Sequence, residues 1–293
     1  MNKKSVVTIG TFDGVHKGHR LLIDKTLSLA EKNKLKSIVI SLEKPVKKVK
    51  GLLTICNEKL EEIKALGVDE VVLINVPSEI LTYTPDKFFD EFLLDRLNIS
   101  EIVCGPDFAF GKDRKGNIDW LKKKAKNKNV KVNIVKYLNS SKQISSSYIR
   151  ALLEKGDVKN ATKLLGRPYS FSGIPFRDKG LGKKVGFPTV NLKVNSDKLI
   201  PKGVYISLIT QKDRIYPSVT SIGPRLTFNR GGKIVPETHI LNFDGIWRRA
   251  LTKVILLKKI RNEKKFKNIQ ALKSQVLKDI AKSLRFFRFG KTV

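Results

Sequence analysis

The decapeptide at residues 10–19, GTFDGVHKGH, constrains this chain more than any other stretch. It follows the β-branched run SVVTI at residues 5–9, of the kind a buried parallel strand uses. It leads into residues 20–30, where Leu21, Leu22, Leu27 and Leu29 are spaced like a helix. A strand, a glycine-rich turn and a helix N-terminus are therefore predicted in immediate succession. Such a turn leaves backbone N–H groups unpaired at the positive end of the helix dipole, which favours an anion and above all a phosphate. His16 and His19 lie three residues apart, so they share one face of the first helical turn. Two imidazoles there can hydrogen-bond phosphate oxygens and stabilise charge that builds up during transfer. The glycines alone would suit a plain connecting turn; the spacing of Asp13, His16 and His19 is what favours phosphate chemistry.

A chain of 293 residues is longer than one core usually organises, so two domains are expected. After the first helix come a strand at residues 36–42, a helix with Leu60, Ile63 and Leu66 that Gly67 terminates, and a strand at 70–76. Pro85 opens a further helix, running to about Leu97, whose stripe Phe88, Phe89, Phe92 and Leu93 reads as core. A strand at 101–104, a loop at 105–116, a helix near 119–127 and a strand at 130–137 complete the alternation. This pattern is α/β, a doubly wound parallel sheet, in which ligands bind beyond the C-terminal strand ends. Helices at 147–154 and 157–165 follow, and then the pattern changes. Segments 205–210, 216–222, 238–243 and 252–258 read as antiparallel strands, with one amphipathic helix at 269–284. The expectation is a small antiparallel β-barrel with a C-terminal helix, divided from the first domain so that residues 1–166 and 167–293 form the two.

Composition excludes several classes. No apolar run reaches the ~18 residues that a membrane-spanning helix needs, and residues 6–9 are too short for the apolar region of a secretory signal. Cys56 and Cys104 are far apart and in no CxxC pattern, which suggests neither a disulfide framework nor a zinc site and fits a reducing cytoplasm. The charge is unusual: 59 Lys and Arg against 27 Asp and Glu give +32. Charge of that size attracts polyanions nonspecifically whatever the fold. The excess is mostly lysine, spread over predicted helix faces and loops, without a zinc finger or aromatic–basic interleaving. It reads as a solvated surface rather than a specific nucleic-acid site. Self-association stays open.

Further motifs sharpen the reading. Residues 107–111 read DFAFG, residues 144–150 read ISSSYIR, and the second half carries GLGKKVGFPTVN at 180–191, PKGVY at 201–205, IGPRLTF at 222–228, ETHIL at 237–241 and IRNEKKF at 260–266. The first decapeptide resembles the HxGH signature of nucleotidylyltransferases. More narrowly, it resembles the opening of the bacterial bifunctional riboflavin kinase/FMN adenylyltransferases, also called FAD synthetases. The family's DFxFG, ISSTxxR, GRxLGFPTAN, PxGVY, IGxRPTF, ExHLL and LRxExxF segments are similar to those just quoted, in the same order across both halves. Departures are Ala109 at a usually basic position, Ser147 for threonine, Val190 for alanine, Leu226 for proline, and Ile246-Trp247-Arg248-Arg249 in place of a DLYG turn.

The resemblance implies an N-terminal domain that adenylylates FMN to FAD and a C-terminal domain that phosphorylates riboflavin to FMN, with ATP as substrate of both and Mg²⁺ as cofactor. It implies His16, His19 and Arg150 as catalytic groups of adenylyl transfer, with Gly10, Phe12, Asp13, Gly14, Gly18, Ser145, Ser146 and Ser147 binding its ATP. Asp107, Phe108, Phe110 and Gly111 would lie against the flavin. In the second half it implies Glu237 as general base, Gly182, Lys183, Gly186 and Pro188 around ATP, Thr189 and Asn191 as metal ligands, and Arg261 and Phe266 at the flavin. His239 lies on the opposite strand face from Thr238 and reads as structural. Two other classes stay open: a riboflavin kinase with a degenerate N-terminal half, to which Ala109 points, and a basic nucleic-acid-binding protein, to which +32 points.

Overall fold

In a computed structural model, the described residues are 3–136, 144–177, 182, 186–224 and 234–289. They form two compact units, residues 1–148 and 149–293.

The first unit contains β1 (Ser5–Gly10), α1 (Lys17–Asn33), β2 (Lys36–Leu42), α2 (Cys56–Lys64), β3 (Glu70–Ile74), α3 (Pro85–Lys87), β4 (Ile99–Cys104), α4 (Ile118–Asn127) and β5 (Lys131–Ile134). The five strands make one parallel sheet in the order β3-β2-β1-β4-β5. The strand order reverses beside β1, so the turn after β1 opens at the position where α/β sheets hold ligands. Period-two alternation sends Val6, Val39 and Val103 to one face, where they meet Leu22 and Ile23 of α1 and Ile63 of α2. Val7, Ile38, Ile40 and Ile102 go to the other face, against Phe88, Phe89, Phe92 and Leu93. Full burial of each such side chain contributes roughly 1.5–3 kcal/mol. The phenylalanine stripe is core, as expected, although the helix that carries it continues from α3 as a wider π-helical segment, Phe88–Arg96. Strand β3 ends at Ile74 and β5 covers only Lys131–Ile134, both shorter than the sequence expectation, and Tyr137 lies outside the described residues.

The second unit contains α6 (Val158–Leu165), β6 (Tyr169–Phe176), β7 (Val190–Val194), β8 (Gly203–Gln211), β9 (Arg214–Pro224), β10 (Ile234–Ile240), β11 (Thr252–Arg261) and α7 (Ile269–Phe289); the helix α5 (Ser146–Glu154) leads into it. The six strands close into an antiparallel barrel, β10-β7-β6-β11-β8-β9. Strands β6 and β7 were not separately legible in the sequence, because Gly173, Pro175 and the short run 190–194 lack a long β-branched pattern. Phe171, Tyr205, Ile222, Val254 and Leu256 are fully buried. Ser218, Ser207, Thr220 and Thr238, all at 0% exposure, form a continuous chain of hydroxyl hydrogen bonds. Each buried hydroxyl thus has a partner, which removes the penalty of an unsatisfied polar group. Helix α7 places Ile280 and Phe287 against Val204, Val219 and Leu241. Arg261 anchors it, with Nη2 2.8 Å from the carboxylate of buried Asp279.

Candidate active sites

The turn after β1 is strained and tightly held. Phe12 and Val15 adopt left-handed backbone with φ of 47° and 39°, and Gly14 with 90°. A β-branched residue rarely takes that conformation, and such outliers persist where surrounding contacts over-determine them, most often at functional sites. Here those contacts are visible. Phe12 and Val15 are fully buried, and Val15 N–H donates to the Phe12 carbonyl at 3.1 Å. The Asp13 carboxylate accepts from the backbone N–H groups of Leu53 and Thr54 at 2.9 and 3.1 Å, and Gly14 N–H donates to Thr54 Oγ1 at 3.0 Å. The Asp13 side chain is therefore a fastener of the turn to the 53–54 segment, which lies 40 residues away in sequence. Neither Leu53 nor Thr54 carries a signal legible without the fold.

His16 is the N-cap of α1: its Nδ1 accepts the His19 backbone N–H at 3.3 Å. In that bond Nδ1 is the accepting nitrogen of the ring. The two imidazoles stack with centroids 3.5 Å apart and planes 15° apart, and the Phe12 ring meets His19 edge-on. Gly18 makes room for the pair, since a Cβ there would sit 3.3 Å from the His16 ring. Burial, then His16, then Lys59 push the His19 pKa well below the usual histidine range. His19 is thus a neutral imidazole near pH 7. Among the described residues its buried Nδ1 has no hydrogen-bond partner. Ser145 caps α5 by accepting the Tyr148 N–H at 3.2 Å, and Ser146 Oγ donates to the Asp13 carbonyl at 2.8 Å. The serine segment is thereby tied to the histidine turn, with Ser147 next along the helix and Arg150 one turn further on.

The loop after β4 carries the other expected group. Phe110 is 7% exposed and packs on Phe88 and Trp120, so its ring belongs to the core. Phe108 stacks on it at 5.4 Å and stays half-exposed, which leaves Phe108 as the ring with an accessible face. Gly111 has φ of 72°, and a Cβ there would press on the Pro85 backbone, so both reasons require glycine. Asp107 is exposed, and its carbonyl accepts from Arg114 at 3.4 Å.

The barrel site is built differently, by strand register. Glu237 of β10 lies directly opposite Asn191 of β7 on one side and Ser221 of β9 on the other. Directly opposed residues of an antiparallel pair have Cβ atoms roughly 4.5–5.5 Å apart. Thr238 points into the barrel and is buried, so Glu237 and His239 face outward, both half-buried. His239 Nδ1 lies 2.9 Å from the Pro188 carbonyl and its ring meets Phe187 edge-on, so it holds the segment that carries Thr189. Phe187 N–H donates to the Gly182 carbonyl at 2.7 Å, and a Cβ on Gly182 would collide with the Phe187 carbonyl. Gly186 takes φ of 90°. Lys183 lies outside the described residues, as do 225–228 of the IGPRLTF segment. Asn191 Oδ1 is buried without a hydrogen-bond partner among the described residues. An orphaned amide oxygen beside a carboxylate, with the Thr189 hydroxyl close in sequence, suits a hard cation that prefers oxygen and keeps much of its water, as Mg²⁺ does. Arg261 and Phe266 do come together, with the guanidinium 5.8 Å from the ring centroid, and the same guanidinium pairs with Asp279.

Two family models match the chain: FAD synthetase over residues 1–148 and riboflavin kinase over residues 165–287. The chain belongs to the bifunctional riboflavin kinase/FMN adenylyltransferase family. Proteins of that name from Bacillus subtilis and Escherichia coli K12 are 32% and 31% identical, over 97% and 98% of this chain and 93% and 94% of their own. The one from Buchnera aphidicola of Schizaphis graminum is 33% identical over 98% of this chain and 95% of its own. A crystal structure named as a macrolide-efflux protein from Streptococcus pneumoniae superposes with a TM-score of 0.86 at 28% identity, covering 99% of this chain and 96% of that one. In this family member, among the described residues, no helix is long and apolar enough to cross a membrane.

Proposed function

We propose that the barrel phosphorylates riboflavin to FMN and that the parallel-sheet unit adenylylates FMN to FAD, each with its own ATP, in the cytoplasm. The single observation that carries this reading is the coexistence of two chemically different sites, a stacked histidine pair at a helix N-terminus and a carboxylate paired across strands with an orphaned amide oxygen. The working division falls between residues 166 and 167.

At the barrel, Glu237 accepts the proton of the riboflavin 5′-hydroxyl as that oxygen attacks the γ-phosphate of ATP. Thr189 and Asn191 would hold Mg²⁺, which supplies charge neutralisation on the phosphates when bound. Gly182, Gly186 and Pro188 shape the wall against the nucleotide, to which Lys183 adds a charge, and Arg261 with Phe266 borders the flavin while tying down α7. His239 keeps Pro188, and with it Thr189, in place.

At the parallel sheet, the FMN phosphate attacks the α-phosphate of ATP and pyrophosphate leaves. The nucleophile is already an anion, so no base is needed, and catalysis rests on positioning and on donors aimed at developing charge. The imidazoles of His16 and His19 are those donors, joined by Ser146, Ser147 and Arg150. Gly10, Phe12, Asp13, Gly14 and Gly18 set the shape of the turn. Asp107 and Phe108, braced by Phe110 and Gly111, lie against the flavin. The test is a time course of products from riboflavin with Mg-ATP. FMN first and FAD later supports both assignments, and FMN alone after prolonged incubation leaves only the kinase.

A further inference from the structure

Lys59 is a lysine in a place where an apolar residue would be ordinary. It lies on α2 one turn before Ile63, and only 1% of it is exposed. Burying an ammonium is unfavourable unless its donors are all met. Here Nζ donates to the carbonyls of Thr11 at 2.9 Å, Glu43 at 3.0 Å and Leu42. Those three acceptors sit just past β1 and at the end of β2, the strand ends over which the sheet binds ligands. Thr11 immediately precedes the left-handed Phe12.

We propose that Lys59 is a positioning residue for adenylyl transfer: its ammonium clamps the Thr11, Leu42 and Glu43 carbonyls and so holds the strained turn and the imidazole pair in the geometry that the α-phosphate requires. This rests on the assignment of adenylyl transfer to the His16–His19 site. Three donors match three acceptors only while the nitrogen is protonated, because a neutral amine has two N–H bonds and turns a lone pair toward the third carbonyl. The titratable groups facing Lys59 are Asp13, Cys56 and Glu43, and the neighbouring titratable rings are His19 and, beyond it, His16. Burial lowers the Lys59 pKa to about 8, with Asp13, Cys56 and Glu43 opposing the shift. Its charge also helps to keep His19 neutral.

FAD formation from supplied FMN is expected to fall as pH rises through about 8, while FMN formation from riboflavin does not follow the same limb. Lys59 does not produce this fall by unfolding the protein. Between pH 8 and 10.5 the unfolded chain binds the extra proton, so this group makes the folded state more stable as pH rises. Lys59→Met should lower kcat for FAD formation by about ten- to a hundredfold, the range for misplaced catalytic groups, with riboflavin kinase activity unchanged. Lys59→Arg, which keeps the charge, should recover part of the rate and remove the limb near pH 8. Full FAD-forming kcat and an unaltered pH profile in Lys59→Met overturn the proposal. If Lys59→Met does not fold, the wild-type profiles decide: an alkaline limb confined to FAD formation supports the clamp, and its absence refutes it. Failure of the wild-type protein to make any FAD would instead refute the site assignment beneath it.

Discussion

The two sites of this chain are assembled in opposite ways. At the parallel sheet, the chemistry is concentrated in one decapeptide, and long-range contacts serve to hold it: Asp13 on the 53–54 backbone, Lys59 on the Thr11 carbonyl, Ser146 on the Asp13 carbonyl. At the barrel, no short peptide contains the site. Glu237 and Asn191 are brought together by strand register, and a shift of one residue would turn Glu237 into the barrel and Thr238 outward. The first site is buried and strained, around a stacked imidazole pair. The second lies on an outward face, with a carboxylate beside an amide oxygen that lacks a partner among the described residues. On the proposed roles, transfer to an anionic nucleophile relies on fixed donors, whereas transfer to a hydroxyl relies on a base and a cation.

The sharpest way to break this comparison is Glu237→Gln. It should lower FMN formation by about 10²–10⁴, the usual contribution of a general base, and leave FAD formation from supplied FMN intact. Equal loss of both activities would mean that the sites do not act separately. Next in size is His19→Ala, which should slow FAD formation by about 10²–10³, as loss of one preorganised donor does, without affecting the kinase. His19→Asn, which keeps a donor but cannot be protonated, should restore part of that rate. A loss confined to ATP binding, with turnover at saturation unchanged, would show a ground-state contact instead.

These expectations differ in how much of them the sequence carried. The decapeptide was legible because its parts are adjacent, and the same holds for the βα alternation and the phenylalanine stripe. The contacts of Asp13 and Lys59 were not legible, because their partners are distant and a lysine within a helix reads as solvated. Phe110 looked equivalent to Phe108 in DFAFG, yet only packing on Phe88 and Trp120 separates a core ring from an accessible one. In the barrel, ETHIL could be recognised as part of a strand, whereas PTVN was not legible as one, and the pairing of the two belongs to the fold.

Smaller effects sharpen the same contrast. Arg261→Met leaves the Asp279 carboxylate buried and unpaired, and loss of one partner from such a pair should destabilise the barrel unit by about 3 kcal/mol, as a lowered thermal transition of that unit would report. Retained stability would mean that α7 is held by its apolar contacts alone. His239→Ala removes the hold on Pro188 and should reduce kinase turnover by about tenfold, as loss of an outer support for a metal ligand does, with a raised Mg²⁺ requirement as the distinguishing readout. His239→Gln, which can still donate to the Pro188 carbonyl, should restore much of it.

The central claim, two complete and separable sites in one chain joined by FMN, is tested most directly by mixing Glu237→Gln with His19→Ala in riboflavin and Mg-ATP and following the flavins by chromatography. Alone, the first variant should leave riboflavin nearly unconverted and the second should accumulate FMN. Together they should yield FAD, because FMN made by the His19→Ala barrel is substrate for the intact sheet site of Glu237→Gln. A mixture that accumulates FMN and never forms FAD, while Glu237→Gln also fails on supplied FMN, would contradict the account.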